Sequence, residues 1–346
     1  MGTRLDACAH PIVTRARPPF YPRASMDTAY LDDAVADLAA NKQSFATAPV
    51  REKIAMLGRL RERTGLMARG WVQAATRAKG IAMDSPFAGE EWTSGPYALA
   101  AGINALETTL RRIAEGRHVL DGLPVSTRGD GRVVVRVFPA DAQDRVFFSG
   151  HRADVWMQPG VTEATLGDTV ASFYRKRHPE GAVALVLGAG NIASIPPLDA
   201  LYRMLVHGNV AIVKLNPVND YLGPIYAEIF ADFIDRGFLR IFYGGNEAGA
   251  AILNSDNVDT VHITGSASSH DQIVYGSGPE AAERRRLGQP LLGKPITSEL
   301  GGVSPFIVVP GPWSEADLRY QAEHFVTQKI LNGGFNCVAA QVLVLA

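Results

Sequence analysis

Apolar residues recur at helical spacing over three early stretches of the chain. Between Val50 and Ala78, Ile54, Leu57, Leu60 and Leu66 alternate with arginines and glutamates, which predicts one long helix or two. Ser94 to Glu115 repeats the pattern with Leu99, Ile103, Leu106 and Leu110. Met26 to Ala40 carries Tyr30, Ala34, Val35 and Leu38 on one face, with Asp27 placed to cap it. The period changes at Arg132, where RVVVRVF alternates β-branched and charged residues as far as Phe138 and predicts a strand. Arg145–Phe148 and Asp154–Gln158 read as further strands, punctuated by Gly150 and Pro159-Gly160. Beyond this, short apolar runs at Val183–Leu187, Asn209–Val213, Leu239–Gly245 and up to Ile263 alternate with helical stretches at Asp220–Phe238 and Ala267–Tyr275. That alternation predicts an α/β fold. Gly276–Pro295 is charged and punctuated by Gly and Pro, and reads as a surface insertion. Ala316–Ile330 reads as a helix and Val338–Ala346 as a strand.

Four turns between these elements carry candidate chemistry. The strand VALVL runs into Gly188-Ala189-Gly190-Asn191-Ile192-Ala193, a G-x-G-x-x-A pattern between strand and helix. The ordinary dinucleotide fingerprint asks for an acid at the end of the next strand; that residue is Lys214. Gly265-Ser266 lies between a strand and a helix start, where backbone N–H groups and the helix dipole favour an anion. Glu299 sits in SELGGVSP, read as a glycine-flanked turn, and Cys337 follows Asn332-Gly333-Gly334. A thiol and a carboxylate in separate Gly-rich turns are the groups that nucleophilic catalysis brings together. Each has a plainer reading: Asn191 as a turn residue, Lys214 as a solvated strand end, Ser266 as an N-cap. His262 reads as a core residue, because no second group stands at metal-ligand spacing.

Composition narrows the partners. A net charge of −1 over 346 residues gives no reason to expect nucleic acid or an anionic membrane, and no apolar run is long enough to span one. Two cysteines, Cys8 and Cys337, make no disulfide framework and fit a reducing, cytoplasmic setting. Residues 1–25 are rich in Arg, but their four prolines argue against a helical targeting peptide.

SELGGVSP resembles the glutamate signature of the aldehyde dehydrogenase superfamily, and NGGFNC resembles its cysteine signature. The resemblance implies a Rossmann-like cofactor domain plus an α/β catalytic domain, here incomplete. It divides the chain into an extension (1–25), a cofactor-binding domain (26–130 and 159–270), an oligomerisation arm (131–158) and part of the catalytic domain (271–346). It implies Cys337 as nucleophile, Glu299 as general base and Asn191 as oxyanion donor. Lys214, Gly265, Ser266, Gly188 and Leu300 would contact NAD or NADP. The substrate would be an aldehyde, oxidised to the acid through a thioester, with no metal. The assembly would be a homodimer or tetramer.

The pattern also departs from the family. Pro217 stands where many NAD-specific members carry a Glu, which leaves NADP open beside NAD. Phe335 replaces the usual Gln before the cysteine, Val303 a Lys, and Ile263 a Phe. Members continue well past the cysteine, whereas Ala346 follows Cys337 by nine residues. The expectation is a C-terminally truncated dehydrogenase. The alternatives are an inactive product that binds nucleotide at most, and a CoA-acylating relative.

Overall fold

The structure, a computed structural model, describes residues 28–345. The Asp27 cap and Cys8 lie outside them. Helix α1 spans Thr28–Thr47 and α2 Val50–Lys79, the latter with Glu52 in its first turn and Arg77 and Lys79 in its last. Helix α3 (Ala88–Trp92) passes through a π-turn at Thr93–Tyr97 into α4 (Ala98–Ala114). Gly95 makes that kink possible: a Cβ there would stand 2.9 Å from the Trp71 indole nitrogen.

Strands β1 (Val125–Thr127), β2 (Val133–Phe138) and β3 (Ala153–Trp156) form an antiparallel sheet in that order. Between β2 and β3 lies α5 (Ala142–Phe147), where the sequence pattern points to a strand. The Asp141 carboxylate accepts the Asp144 N–H at 2.9 Å and caps a short helix before pairing begins.

The central sheet follows. In chain order it comprises β4 (Val183–Leu187), α6 (Ile195–His207), β5 (Val210–Lys214), α7 (Gly223–Ile229), α8 (Ala231–Asp235), β6 (Leu239–Phe242), α9 (Asn246–Leu253), β7 (Thr260–Gly265), α10 (Ala267–Tyr275), α11 (Pro279–Leu287) and β8 (Ile296–Leu300). The strands are all parallel, in the order β6-β5-β4-β7-β8. This is the doubly wound arrangement that the alternating pattern predicts. The expected single helix over Asp220–Phe238 is broken, because Gly223-Pro224 restarts it after a 3-10 turn and Phe230 interrupts it to bury its ring. The expected surface insertion contains exposed helix α11.

The pleat assigns the two faces. Lys214 and Leu187, paired in register, lie on the side of α9, where a Cβ on Gly249 would be 3.5 Å from Leu187 and 3.9 Å from Lys214. Tyr30 of α1 stacks near Phe242 on the same side, at 6.2 Å. Val213, Leu239 and Ile241 face α6 and α7 across the sheet, and α2 and α4 pack outside those helices. After β8, β9 (Ser304–Ile307) pairs in parallel with β10 (Ala340–Val344), and α12 (Glu315–Ile330) connects them under a Ser314–Asp317 capping box. Phe306 and Phe325 meet edge to face at 5.4 Å in this smaller unit. No helix among the described residues is long and apolar enough to cross a membrane.

Lys53 of α2 is 1% exposed beneath the rings of Phe45 (4.9 Å), Phe173 (5.0 Å) and Tyr174 (5.4 Å). Burial lowers its pKa from 10.5 to about 8. The folded state therefore holds this proton less tightly than the unfolded chain, so stability rises with pH between those two values. Urea unfolding of the parent and Lys53→Met should show the parent gaining about 3 kcal/mol relative to the variant as pH climbs through that window. Parallel pH profiles would show that the ammonium is not desolvated.

Candidate active site at the carboxyl edge of the sheet

The register brings the singled-out residues to one edge. Leu187 pairs with Lys214 and Ile263, Thr264 with Glu299, and Gly265 with Leu300. Gly188 and Ser266 follow directly. The connections leave β4 toward β5 on one side and return to β7 on the other, the point where a doubly wound sheet opens a ligand crevice.

The turn after β4 is pinned tightly. The Gly188 N–H donates to the Lys214 carbonyl at 3.0 Å, and a Cβ on Gly188 would stand 3.0 Å from Pro196. Three alternate carbonyls then accept from three different elements: Ala189 from the Asn219 amide (3.4 Å), Asn191 from the Asn332 amide (2.9 Å) and Ala193 from the Tyr226 hydroxyl (2.5 Å). Pro196 and Pro197 open α6, and the flanking Ile195 and Leu198 N–H groups bond to Ile192 and Ser194. The helix start that holds pyrophosphate in an ordinary fingerprint is therefore poor in donors here. At α10, Ser266 accepts the Ser269 N–H at 3.1 Å. Its side chain is engaged as an N-cap, the plainer of the two sequence readings, and the first N–H groups of α10 remain open as at any helix start.

Lys214 is 8% exposed. Among the described residues its ammonium has neither a hydrogen bond nor an ion pair, and burial lowers its pKa. His262, also 8% exposed, lies between Thr297 (2.8 Å) and Asp199 (3.4 Å), as a satisfied core residue should. No group of His, Cys, Asp or Glu suited to a metal occurs among the described residues.

Cys337 reaches this edge through its loop. The Asn191 side-chain amide donates to the Phe335 carbonyl at 2.9 Å, and a Cβ on Gly302, two residues past Leu300, would lie 3.7 Å from the Cys337 carbonyl. The thiol is exposed, 3.8 Å from Asn336 Oδ1, and the Cys337 N–H has no acceptor among the described residues. Glu299 lies within β8, one residue before its end, rather than in the turn expected from its neighbouring glycines. Pairing with Thr264, whose hydroxyl bonds to Asp199 of α6 at 2.8 Å, places Glu299 on the α6 face. Glu299 and Lys214 thus project from opposite faces, and among the described residues no hydrogen bond joins Glu299 to Cys337. The sequence reading did not single out Asn332, whose side chain bonds to Lys79, Asn191 and Phe335. Its only local sign was its place ahead of two glycines.

Residues 148–346, more than half of the chain, match the Aldehyde dehydrogenase family. This chain belongs to that family. It is 28% identical over 170 residues to the N-succinylglutamate 5-semialdehyde dehydrogenase of Novosphingobium aromaticivorans, covering 49% of this chain and 33% of that one. It is 28% identical over 191 residues to the D-glyceraldehyde dehydrogenase (NADP(+)) of Picrophilus torridus, covering 52% and 34%. A solved aldehyde dehydrogenase C mutant from Pseudomonas syringae, in complex with NAD+ and octanal, superposes with a TM-score of 0.55 at 16% identity, covering 91% of this chain and 50% of that one. The aldehyde dehydrogenase fold is therefore shared, and this chain spans about a third of those two relatives and half of the solved one.

The two glycines of the crevice should respond differently to a methyl group. Gly188→Ala meets the Pro196 ring and should cost about 1–3 kcal/mol, whereas Gly265→Ala meets only Ile263 at 3.6 Å. Thermal unfolding should show a clear loss for the first and little change for the second; equal losses would contradict the close approach of β4 to α6.

Proposed function

We propose that these residues serve the oxidation of an aldehyde to a carboxylic acid with NAD+ or NADP+. The observation that carries the reading is the bond from the Asn191 amide to Phe335, which sets an amide donor beside the Cys337 loop at the crevice. Cys337, as thiolate, attacks the aldehyde carbon and forms a C–S bond. The Asn191 amide and the free Cys337 N–H receive the resulting oxyanion. One such donor is worth roughly 2.7–4 kcal/mol of barrier. A bound nicotinamide dinucleotide supplies the hydride acceptor. Glu299 then takes a proton from the water that hydrolyses the thioester, a role worth about 10²–10⁴ in rate.

The buried Lys214 ammonium, without a partner among the described residues, fits a dinucleotide, because ribose hydroxyls or a 2′-phosphate supply acceptors for it. Gly188, Gly265, Ser266 and Leu300 line the same edge. Pro217, exposed just beyond β5, presents no carboxylate to repel a 2′-phosphate, which leaves NADP open beside NAD. The β1–β2–β3 sheet, with Val137, Val155 and Trp156 exposed, serves as an arm for a homo-oligomer.

An aldehyde panel with either dinucleotide tests the reaction. Cys337→Ala should abolish dinucleotide reduction, and retained turnover would sink the assignment. CoA-dependent turnover that survives Glu299→Ala would move the chain to the CoA-acylating class. Lys214→Met should weaken dinucleotide binding, followed by fluorescence titration, by about 10–100-fold, the loss of one hydrogen bond to a charged group. Unchanged affinity would remove Lys214 from the site.

A further inference from the structure

Asn332 lies in an open loop, yet every polar group it carries is used. Its backbone is left-handed, with φ +54. Its N–H donates to Glu90 Oε2 at 2.8 Å, and its carbonyl accepts the Phe335 N–H at 3.0 Å. Its side-chain oxygen accepts from Lys79 Nζ at 2.7 Å. Its side-chain nitrogen donates to the Asn191 carbonyl at 2.9 Å and to the Phe335 carbonyl at 3.2 Å. Lys79 is itself held by Glu91 at 2.6 Å, a carboxylate 2% exposed. Lys79 ends α2, and Glu90 and Glu91 belong to α3, just ahead of the π-turn packed on Trp71.

We propose that Lys79, Glu90, Glu91 and Asn332 form a clamp that sets the direction of the Asn191 amide at the thiol loop. They act as positioning residues. The role of Asn191 in the clamp rests on the aldehyde-oxidation reading.

The geometry fixes an angle. The Phe335 carbonyl receives two donors, from Asn191 and Asn332, which fills both of its lone pairs. One N–H of the Asn191 amide is committed to that carbonyl, and the amide is planar, so its second N–H has one remaining direction. The same Asn332 nitrogen holds the Asn191 backbone carbonyl, so backbone and side chain of Asn191 are both referred to the thiol loop. Asn332 is in turn referred to the N-terminal helices by Lys79 and Glu90. Burying the Glu91 carboxylate costs desolvation that its pairing only offsets. The network's return is therefore orientation more than stability.

Asn332→Gly separates the two. Glycine adopts φ +54 without strain, so the loop conformation survives while the side-chain bonds vanish. In protein labelled with [15N]asparagine, the Asn191 side-chain signals are identified by their loss in Asn191→Asp. Their hydrogen exchange should speed up about tenfold in Asn332→Gly, because the bonds that hold Asn191 against its Phe335 acceptor are removed and the Asn191–Phe335 bond opens more often. Lys79→Met combined with Glu91→Gln, which leaves no lone buried carboxylate, should speed the same exchange by a smaller factor. It should add nothing in the Asn332→Gly background. Exchange unchanged in Asn332→Gly, or fully additive effects, overturns the clamp. With an accepted aldehyde, Asn332→Gly should lower kcat about tenfold at unchanged KM, the mark of an interaction made in the transition state; a change in KM alone also overturns it. Retained turnover in Cys337→Ala would strike the catalytic reading alone, because amide exchange reads the clamp without turnover.

Discussion

The parallel pairing of β4 with β5 on one side and β7 on the other is the constraint on which the molecule depends. Val183 to Val186 are fully buried, so their backbone groups must find partners inside the protein: the two neighbouring strands supply most of them, and the Asp259 carboxylate just ahead of β7 takes the Val183 N–H at 2.7 Å. The pairing fixes which residue of each strand reaches the carboxyl edge and which face it takes. A slip of one residue in β5 would carry Lys214 from the α9 side to the α6 side. A slip in β8 would move Glu299 the other way. The positions of the chemistry therefore follow from ladder hydrogen bonds made well below the crevice.

Much of this was legible in the sequence, because burial on both faces makes a parallel strand a plain apolar run. The runs at β4, β5, β6 and β7 stand out for that reason, and the start of α10 stands out through its Gly-Ser turn. Arg145–Phe148 did not read correctly, since a three-residue apolar run has no period and the Asp141 cap decides its conformation. β8 was obscured for the opposite reason. Thr297, Ser298 and Glu299 are exposed, so ladder bonds to β7 hold the strand with little help from apolar burial. The thiol, the carboxylate, Asn191 and Lys214 were legible as residues in motifs. The distant side chains that bond to Asn332 beside them were not. Lys79 and Glu90 lie more than 240 residues from Asn332, and no local pattern marks a hydrogen bond of that span.

Two buried lysines show how one fold treats the same charge in opposite ways. Lys53 meets three aromatic faces and the Ala46 carbonyl at 3.4 Å, a surrounding that compensates part of its lost hydration. Lys214 is nearly as enclosed and has no such compensation among the described residues. An ammonium buried without such partners costs free energy, which is why burial lowers the Lys214 pKa. The first lysine is compensated within the helical layer, and the second stands at the sheet edge without a partner among the described residues.

The prolines that open α6 carry a consequence for the backbone donors at the sheet edge. A helix that begins without free N–H groups exerts little pull on a phosphate, while α10, one strand away, keeps its own donors. The backbone donors along the edge are therefore uneven, open at the start of α10 beside β7 and nearly absent at the start of α6 beside β4, where the positive charge is that of the Lys214 side chain. Two neighbouring helix starts on one sheet thus differ in kind: proline rings close the first, and a serine cap leaves part of the second open.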